Sequence, residues 1–269
     1  MLTKTQDLAK KIRLHALRMV TDAKASHIGS ALSIADIVAV LYGEILKFDC
    51  NQPKLFERDR FILSKGHACT VVYAALAEVG FFPVSKLKDY GKNYSNFMAH
   101  ISHKVPGVEF STGSLGHGLP FAVGKALAAK KNNLDWGVFT LLSDGELDEG
   151  SNWEAIMFAA HHQLDNLTII IDYNNLQSLD TVRNTLGLEP LLDKFISFGA
   201  DVSEINGHMH DQLIAALAKP AIDKPKVVIA RTTKGKGVSF MENQVAWHYK
   251  NPTEEQLSLA LREVEVGHA

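Results

Sequence analysis

The sequence predicts an α/β fold, a mainly parallel sheet with helices on both faces, in a single domain over residues 1–269. Three observations carry this. Strand-like and helix-like segments alternate through the second half of the chain, as parallel sheets require when each crossover is a helix. The runs at 138–142 and 167–171 are apolar and β-prone and end in polar turns, as strands covered on both faces do. Between them, 149–163 reads as a helix, completing a strand–helix–strand unit.

The elements follow in order. Residues 5–24 read as a charged, amphipathic helix, and 33–46 as a second helix with Ser33 as N-cap and Asp36 at the third helical position, an approximate capping box. A short strand is expected at 60–63. An Ala-rich helix at 68–79 should stop at Gly80. Residues 90–111 read as a loop long enough to be functional. A glycine turn leads into a helix at 117–131, and further strands are expected at 200–205 and 226–231 around a helix at 210–219. A last helix is expected at 253–264, leaving no room after Val238 for a second α/β domain.

Composition excludes several function classes. With 46% hydrophobic and 22% charged residues the chain is ordinary globular protein. A net charge of −2 makes no electrostatic case for nucleic acid or an anionic membrane. No apolar run approaches the roughly eighteen residues a membrane span needs, and the N-terminus lacks a secretory apolar core. Cys50 and Cys69 have no metal or redox spacing and read as free thiols in a cytoplasmic protein.

Chemistry gathers at the strand ends. Asp144 and Asn174 stand at the carboxyl ends of successive strands, where parallel sheets bind ligands. Together they offer hard oxygen ligands for Mg²⁺ or Ca²⁺ bridged to a phosphate, and Gly145 lets backbone approach that phosphate. Taken singly, each also reads as an ordinary cap or turn residue. Histidines mark glycine-flanked connections: His27, His67, His100 and His248. Four of them suggest a site that needs neutral donors and proton carriers near an anionic or hydroxylated ligand. The turn 113–118, Gly-Ser-Leu-Gly-His-Gly, is either a plain helix start or a place for close ligand approach.

The pair Asp144 and Asn174 resembles the thiamine diphosphate signature, Gly-Asp-Gly followed about thirty residues later by Asn. The resemblance implies that Asp144, Asn174 and the backbone oxygen of Leu176 hold Mg²⁺ (or Ca²⁺) against a diphosphate. Ser143 stands where that signature has its first Gly, and a left-handed backbone there would strain a serine. From near one end of the chain to the other, the sequence is similar to the N-terminal half of a transketolase. The similarity rests on Ser26–Gly29, on Asp59–His67 (Asp-Arg-Phe-Ile-Leu-Ser-Lys-Gly-His) and on Ser111–Gly118. It implies that His27, His67 and His248 meet diphosphate or substrate hydroxyls. It further implies cofactor contacts from Gly113, Leu115 and Gly145, and a catalytic histidine at His100 with His103 as its rival. Glu149 and Glu154 match acidic positions at a subunit contact, beside an apolar face around Trp153, Met157 and Phe158 that reads equally as an exposed interface or as packing within its own domain.

The implied activity is transfer of a two-carbon ketol unit from a ketose or ketose phosphate to an aldose, with the cofactor as electron sink. The family's pyrimidine-binding domain has no counterpart here. The chain is therefore expected to be the N-terminal subunit of a split transketolase, working with a separate C-terminal subunit in an α2β2 assembly. Two alternatives are the α chain of a 2-oxoacid dehydrogenase type enzyme and a non-catalytic regulatory module of the same fold.

Overall fold

The computed structural model describes residues 2–267. Helix α1 (Lys4–Asp22) opens with a capping box: Thr3 Oγ accepts from the Gln6 N–H, and the Gln6 side chain accepts from the Thr3 N–H at 2.9 Å. Leu8, Ile12, Ala16 and Val20, one stripe of the helix, are buried. Helices α2 (Ile28–Ser33) and α3 (Ala35–Val40) follow, then one wide turn, Leu41–Ile45.

That stretch corrects an expectation. The single helix from Ser33 starts five residues earlier and breaks at Ile34, so Ser33 ends a helix rather than capping one. Its hydroxyl bonds Asp172, and Asp36 pairs with Arg13, so tertiary partners take both side chains away from local capping.

Apart from two short helices, the remaining elements lie close to expectation. They are β1 (Arg60–Leu63), α4 (Cys69–Glu78), α5 (Gly118–Lys131), β2 (Val138–Ser143), α6 (Gly150–His161) and β3 (Leu167–Tyr173). Then come α7 (Val182–Thr185), α8 (Leu191–Ser197), β4 (Asp201–Asn206), α9 (His210–Ala218), β5 (Lys226–Arg231) and α10 (Glu254–Val266). Sequence reading passed over α7 and α8.

The five strands form one all-parallel sheet in the order β1-β2-β3-β5-β4. Alternate residues serve opposite faces. Leu63, Leu141, Ile170 and Val228 pack towards α1 to α4, α9 and α10, whereas Ile62, Leu142, Ile171 and Ile229 pack towards α5, α6 and α8. Each such fully buried side chain contributes about 1.5–3 kcal/mol of transfer free energy. Among the described residues no helix is long and apolar enough to cross a membrane.

Because every strand runs the same way, the loops after β1, β2, β3 and β5 meet along one edge. The long loop 90–111 is drawn onto that edge. The Tyr73 hydroxyl donates to the His100 carbonyl at 3.2 Å and accepts from the Ser102 N–H, and the Ile101 N–H donates to Gly66 O at 3.0 Å.

Candidate functional site

Two glycines permit the loops to close on one another. A Cβ at Gly66 would sit 2.4 Å from Thr112 O, and one at Gly118 would sit 2.3 Å from Ser64 Oγ. These contacts hold the turn before α5 against the end of β1, and Thr112 Oγ locks it by donating to Leu63 O at 2.5 Å.

Beneath the loops lies a buried ionic floor. Lys65 and Asp172 are fully buried, with Nζ 2.5 Å from the carboxylate. Asp172 also accepts from Ser33 Oγ at 2.6 Å, Asn174 Nδ2 at 3.1 Å and the Thr232 hydroxyl. Burial alone would raise the Asp172 pKa, but the Lys65 ammonium and these hydrogen bonds hold it below the usual carboxylate value. Nearby, buried Glu146 accepts from Ser64 Oγ at 2.5 Å and from the Gly116 N–H at 2.9 Å. It ties the end of β1, the glycine turn and the end of β2 together; burial raises its pKa.

Above the floor sits Asp144, one residue past β2. Its two oxygens accept from the Gly145 N–H (2.7 Å) and the Asn175 N–H (2.6 Å). Among the described residues it has no basic partner at ion-pair distance. Burial, and next the charge of Asp172, push its pKa up to about 7 despite those two N–H donors. Asn174, one residue past β3, turns its Nδ2 to Asp172, while its Oδ1 accepts from the Leu176 N–H at 3.1 Å. The Leu176 carbonyl accepts from Lys234 Nζ at 3.1 Å. One carboxylate, one amide oxygen and one carbonyl thus gather where a hard divalent ion would neutralise a buried charge, so the residues fit such an ion. Among the described residues no group of three or more His, Cys, Asp or Glu side chains is placed to share a metal.

Ser143 belongs to β2 and has no left-handed backbone, so the strain anticipated for a serine there does not arise. Its Oγ instead accepts from the Glu146 N–H at 3.2 Å.

The histidines converge. The His27 ring lies 4.9 Å from His67, 5.0 Å from His248 and 5.9 Å from His100, centre to centre. His27 reaches this place through a left-handed backbone, φ 74°, with its N–H bonded to His248 O at 2.9 Å. His67 Nε2 is 3.0 Å from Ser30 Oγ. Burial lowers the His27 pKa to about 4 and the His248 pKa to about 3. Repulsion from His100, Lys234 and Lys65 adds to this for His27, and from Lys234, His27 and Lys65 for His248. His67 is also held well below the usual value, by burial and then by Lys65. These three imidazoles are neutral near pH 7, each with one donor and one acceptor nitrogen.

All ten residues singled out for the site line one cleft of about 370 Å³: His27, His67, His100, Gly113, Leu115, Asp144, Gly145, Asn174, Leu176 and His248. Ser30, Gln177, Ser178, Lys234 and Tyr249 also line it. His103 does not line it; its ring bonds Ser111 Oγ at 2.7 Å, which leaves His100 as the cleft histidine of that loop. The outer face of α6 divides between the two readings. Met157 and Phe158 are exposed, but Trp153 stacks on Phe195 at 5.4 Å and donates to Leu147 O, so it packs within its own fold.

Sequence reasoning missed Lys65, Glu146, Asp172 and Lys234. Lys234 is 2% exposed and bonds the Leu176 and Gln177 carbonyls, with His248 Nδ1 at 3.3 Å. Burial, then repulsion from Lys65, lower its pKa to about 8. The one available signal was a lysine in a glycine-flanked turn just after an apolar strand; nothing local names its partners.

Residues 4–264 match the family described as transketolase, thiamine diphosphate binding domain. The chain belongs to the transketolase family. It is 41% identical over 260 residues to one subunit of the apulose-4-phosphate transketolase of Phocaeicola vulgatus, across 95% of this chain and 92% of that one. It is 40% identical over 263 residues to a 6-deoxy-6-sulfo-D-fructose transketolase subunit of a Clostridium species, across 97% and 96% respectively. The solved transketolase of Campylobacter jejuni superposes with a TM-score of 0.92 at 32% identity, covering 98% of this chain and 43% of the longer one. The chain therefore spans about two fifths of the solved transketolases it matches, and the part it shares with them carries the family's thiamine diphosphate binding domain.

Proposed function

We propose that this chain is the diphosphate-binding subunit of a two-subunit, thiamine diphosphate- and Mg²⁺-dependent transketolase. It transfers a two-carbon ketol unit from a ketose donor to an aldose acceptor and works with a separate pyrimidine-domain subunit in an α2β2 assembly. The observation that carries the reading is Asp144, a buried carboxylate with no ion-paired base among the described residues, beside the Asn174 amide and the Leu176 carbonyl in a histidine-lined cleft.

Asp144, Asn174 and Leu176 O would hold Mg²⁺, or Ca²⁺, by hard oxygen ligation. Lys234 and the backbone at Gly145 would face the diphosphate, with Gly113 and Leu115 against the rest of the cofactor. When bound, thiamine diphosphate supplies the electron sink that lets a bond next to a carbonyl break. His27, His67 and His248, neutral and closely spaced, would donate to and accept from substrate hydroxyls and move protons on and off substrate oxygens. His100, at the exposed rim, would act on the outer part of the sugar. The two closely similar subunits are named for a phosphorylated and a sulfonated sugar, so the donor class proposed is a ketose carrying such an anion.

The test is calorimetric titration of thiamine diphosphate with Mg²⁺, with and without the pyrimidine-domain subunit, followed by a ketol-transfer assay. Binding in the pair and turnover only in the pair are expected. Substantial turnover by the single chain would sink the two-subunit reading, and absence of metal-dependent binding in the pair would sink the cofactor reading.

A further inference from the structure

A second polar cluster lies behind the cleft, outside its lining. Asp36 on α3 is buried and receives Arg13 of α1 in a two-point bond, Nη1 to Oδ1 at 2.9 Å and Nη2 to Oδ2 at 2.6 Å. His208, between β4 and α9, places Nδ1 2.7 Å from Asp36 Oδ2, and His210 places Nε2 3.2 Å from Oδ1. The other nitrogen of His208 faces the loop after β5. Its Nε2 is 2.8 Å from the backbone nitrogen of Thr233, the residue immediately before Lys234. A backbone N–H can only donate, so His208 Nε2 is the acceptor and the ring proton is on Nδ1, directed at Asp36. Arg13 reaches the same loop from the other side, its Nε donating to Lys236 O at 3.2 Å. Asp36 therefore anchors two side chains that grip the backbone on either side of Lys234, the cation that meets the Leu176 carbonyl and His248 in the cleft.

We propose that His208 is a positioning residue: its Nε2, oriented by Asp36, sets the Thr233–Lys234 backbone and through it the place of the Lys234 ammonium. The inference rests on the reading that the cleft takes a diphosphate. His208 touches neither the cofactor nor the sugar; it acts at one backbone N–H. Its ring is preset by local structure as well, since its own N–H donates to Asn206 Oδ1 at 2.9 Å. Two substitutions separate its two bonds. His208→Asn keeps a donor near the Nδ1 position, and so the bond to Asp36, but loses the acceptor for Thr233. His208→Gln carries an amide oxygen out to about the Nε2 position and restores that acceptor.

The experiment titrates thiamine diphosphate with Mg²⁺ into the two-subunit complex by calorimetry, with melting of each variant alongside. His208→Asn should weaken binding roughly threefold to tenfold, the scale of one lost hydrogen bond, with melting close to parental. His208→Gln should bind within about twofold of the parent. In a Lys234→Met background, adding His208→Asn should change affinity no further, because the residue acts through Lys234. Parental affinity in His208→Asn overturns the inference. So does an equal loss with or without Lys234, and so does unfolding of His208→Asn, which would make His208 a folding residue. A parent complex that does not bind thiamine diphosphate would sink the proposed function and this inference together; parental binding with His208→Asn unaffected sinks this inference alone.

Discussion

Asp36, behind the cleft, and Asp144, within it, are both buried carboxylates, 6% and 1% exposed. Their environments are opposite. Asp36 meets a guanidinium and two imidazoles, and although burial alone would raise its pKa, Arg13 and the histidine hydrogen bonds hold it well below the usual value. Asp144 meets two backbone N–H groups and, among the described residues, no ion-paired base, and its pKa climbs to about 7. Asp172 resembles Asp36, saturated by Lys65 and three neutral donors. A charge that serves the fold is completed by the fold. A charge left incomplete at a strand end is one that a ligand can complete.

The largest effect should come from breaking the completed charge. Arg13→Leu strands the Asp36 carboxylate and should cost about 3–5 kcal/mol of stability in chemical denaturation. A loss below about 1 kcal/mol would put the pair among surface ion pairs, whose contribution is small. Next in size is the cleft itself. His67→Ala and His248→Ala should each lower turnover of the two-subunit enzyme roughly hundredfold, about 2.7 kcal/mol of barrier, with folding preserved. Near-parental kcat in both would make them structural.

Asp36 should also show its pairing through pH. Its folded pKa lies below the unfolded value, so its contribution is present above about pH 4 and is lost as pH falls through the folded pKa. The stability gap between the parent and Asp36→Asn should narrow as pH falls below about 4. A gap that stays constant down to about pH 2 would contradict the pairing. The smallest effect on the fold is expected at the incomplete charge. Asp144→Ala should cost about 1–2 kcal/mol, less than Arg13→Leu, because it leaves two backbone N–H donors without an acceptor but strands no ion-paired base among the described residues. The same variant, like Asn174→Ala, should lose Mg²⁺-dependent thiamine diphosphate binding in calorimetry. Unfolding of Asp144→Ala, or parental binding by either variant, would erase the distinction between the two carboxylates.

The strands and most helices were legible because their signals are local. The runs at 138–142 and 167–171 appear as β2 and β3, each extended by one or two residues, and Gly80 does end α4 in a left-handed conformation. The helix from Ser33 was misplaced because its capping pattern is local while Arg13 and Asp172, which take up Asp36 and Ser33, are distant in the chain. The inward turn of Trp153 was one of two readings open for the same reason, since its partners Phe195 and Phe198 lie on and beside α8.

The sequence by itself determined the α/β class, the strand ends that carry Asp144 and Asn174, and the motifs that bring His27, His67, His100 and His248 under suspicion. Residue type and spacing along one strand–turn–helix unit suffice for that, because side-chain period and turn chemistry are short-range. Only the tertiary structure decided which buried charges are complete. Lys65 finds Asp172 across 107 residues of chain, Lys234 finds Leu176 O across 58, and His208 finds Asp36 across 172. Burial of a charge and the identity of its partner are properties of packing, and packing brings together residues whose separation in sequence carries no record of the contact.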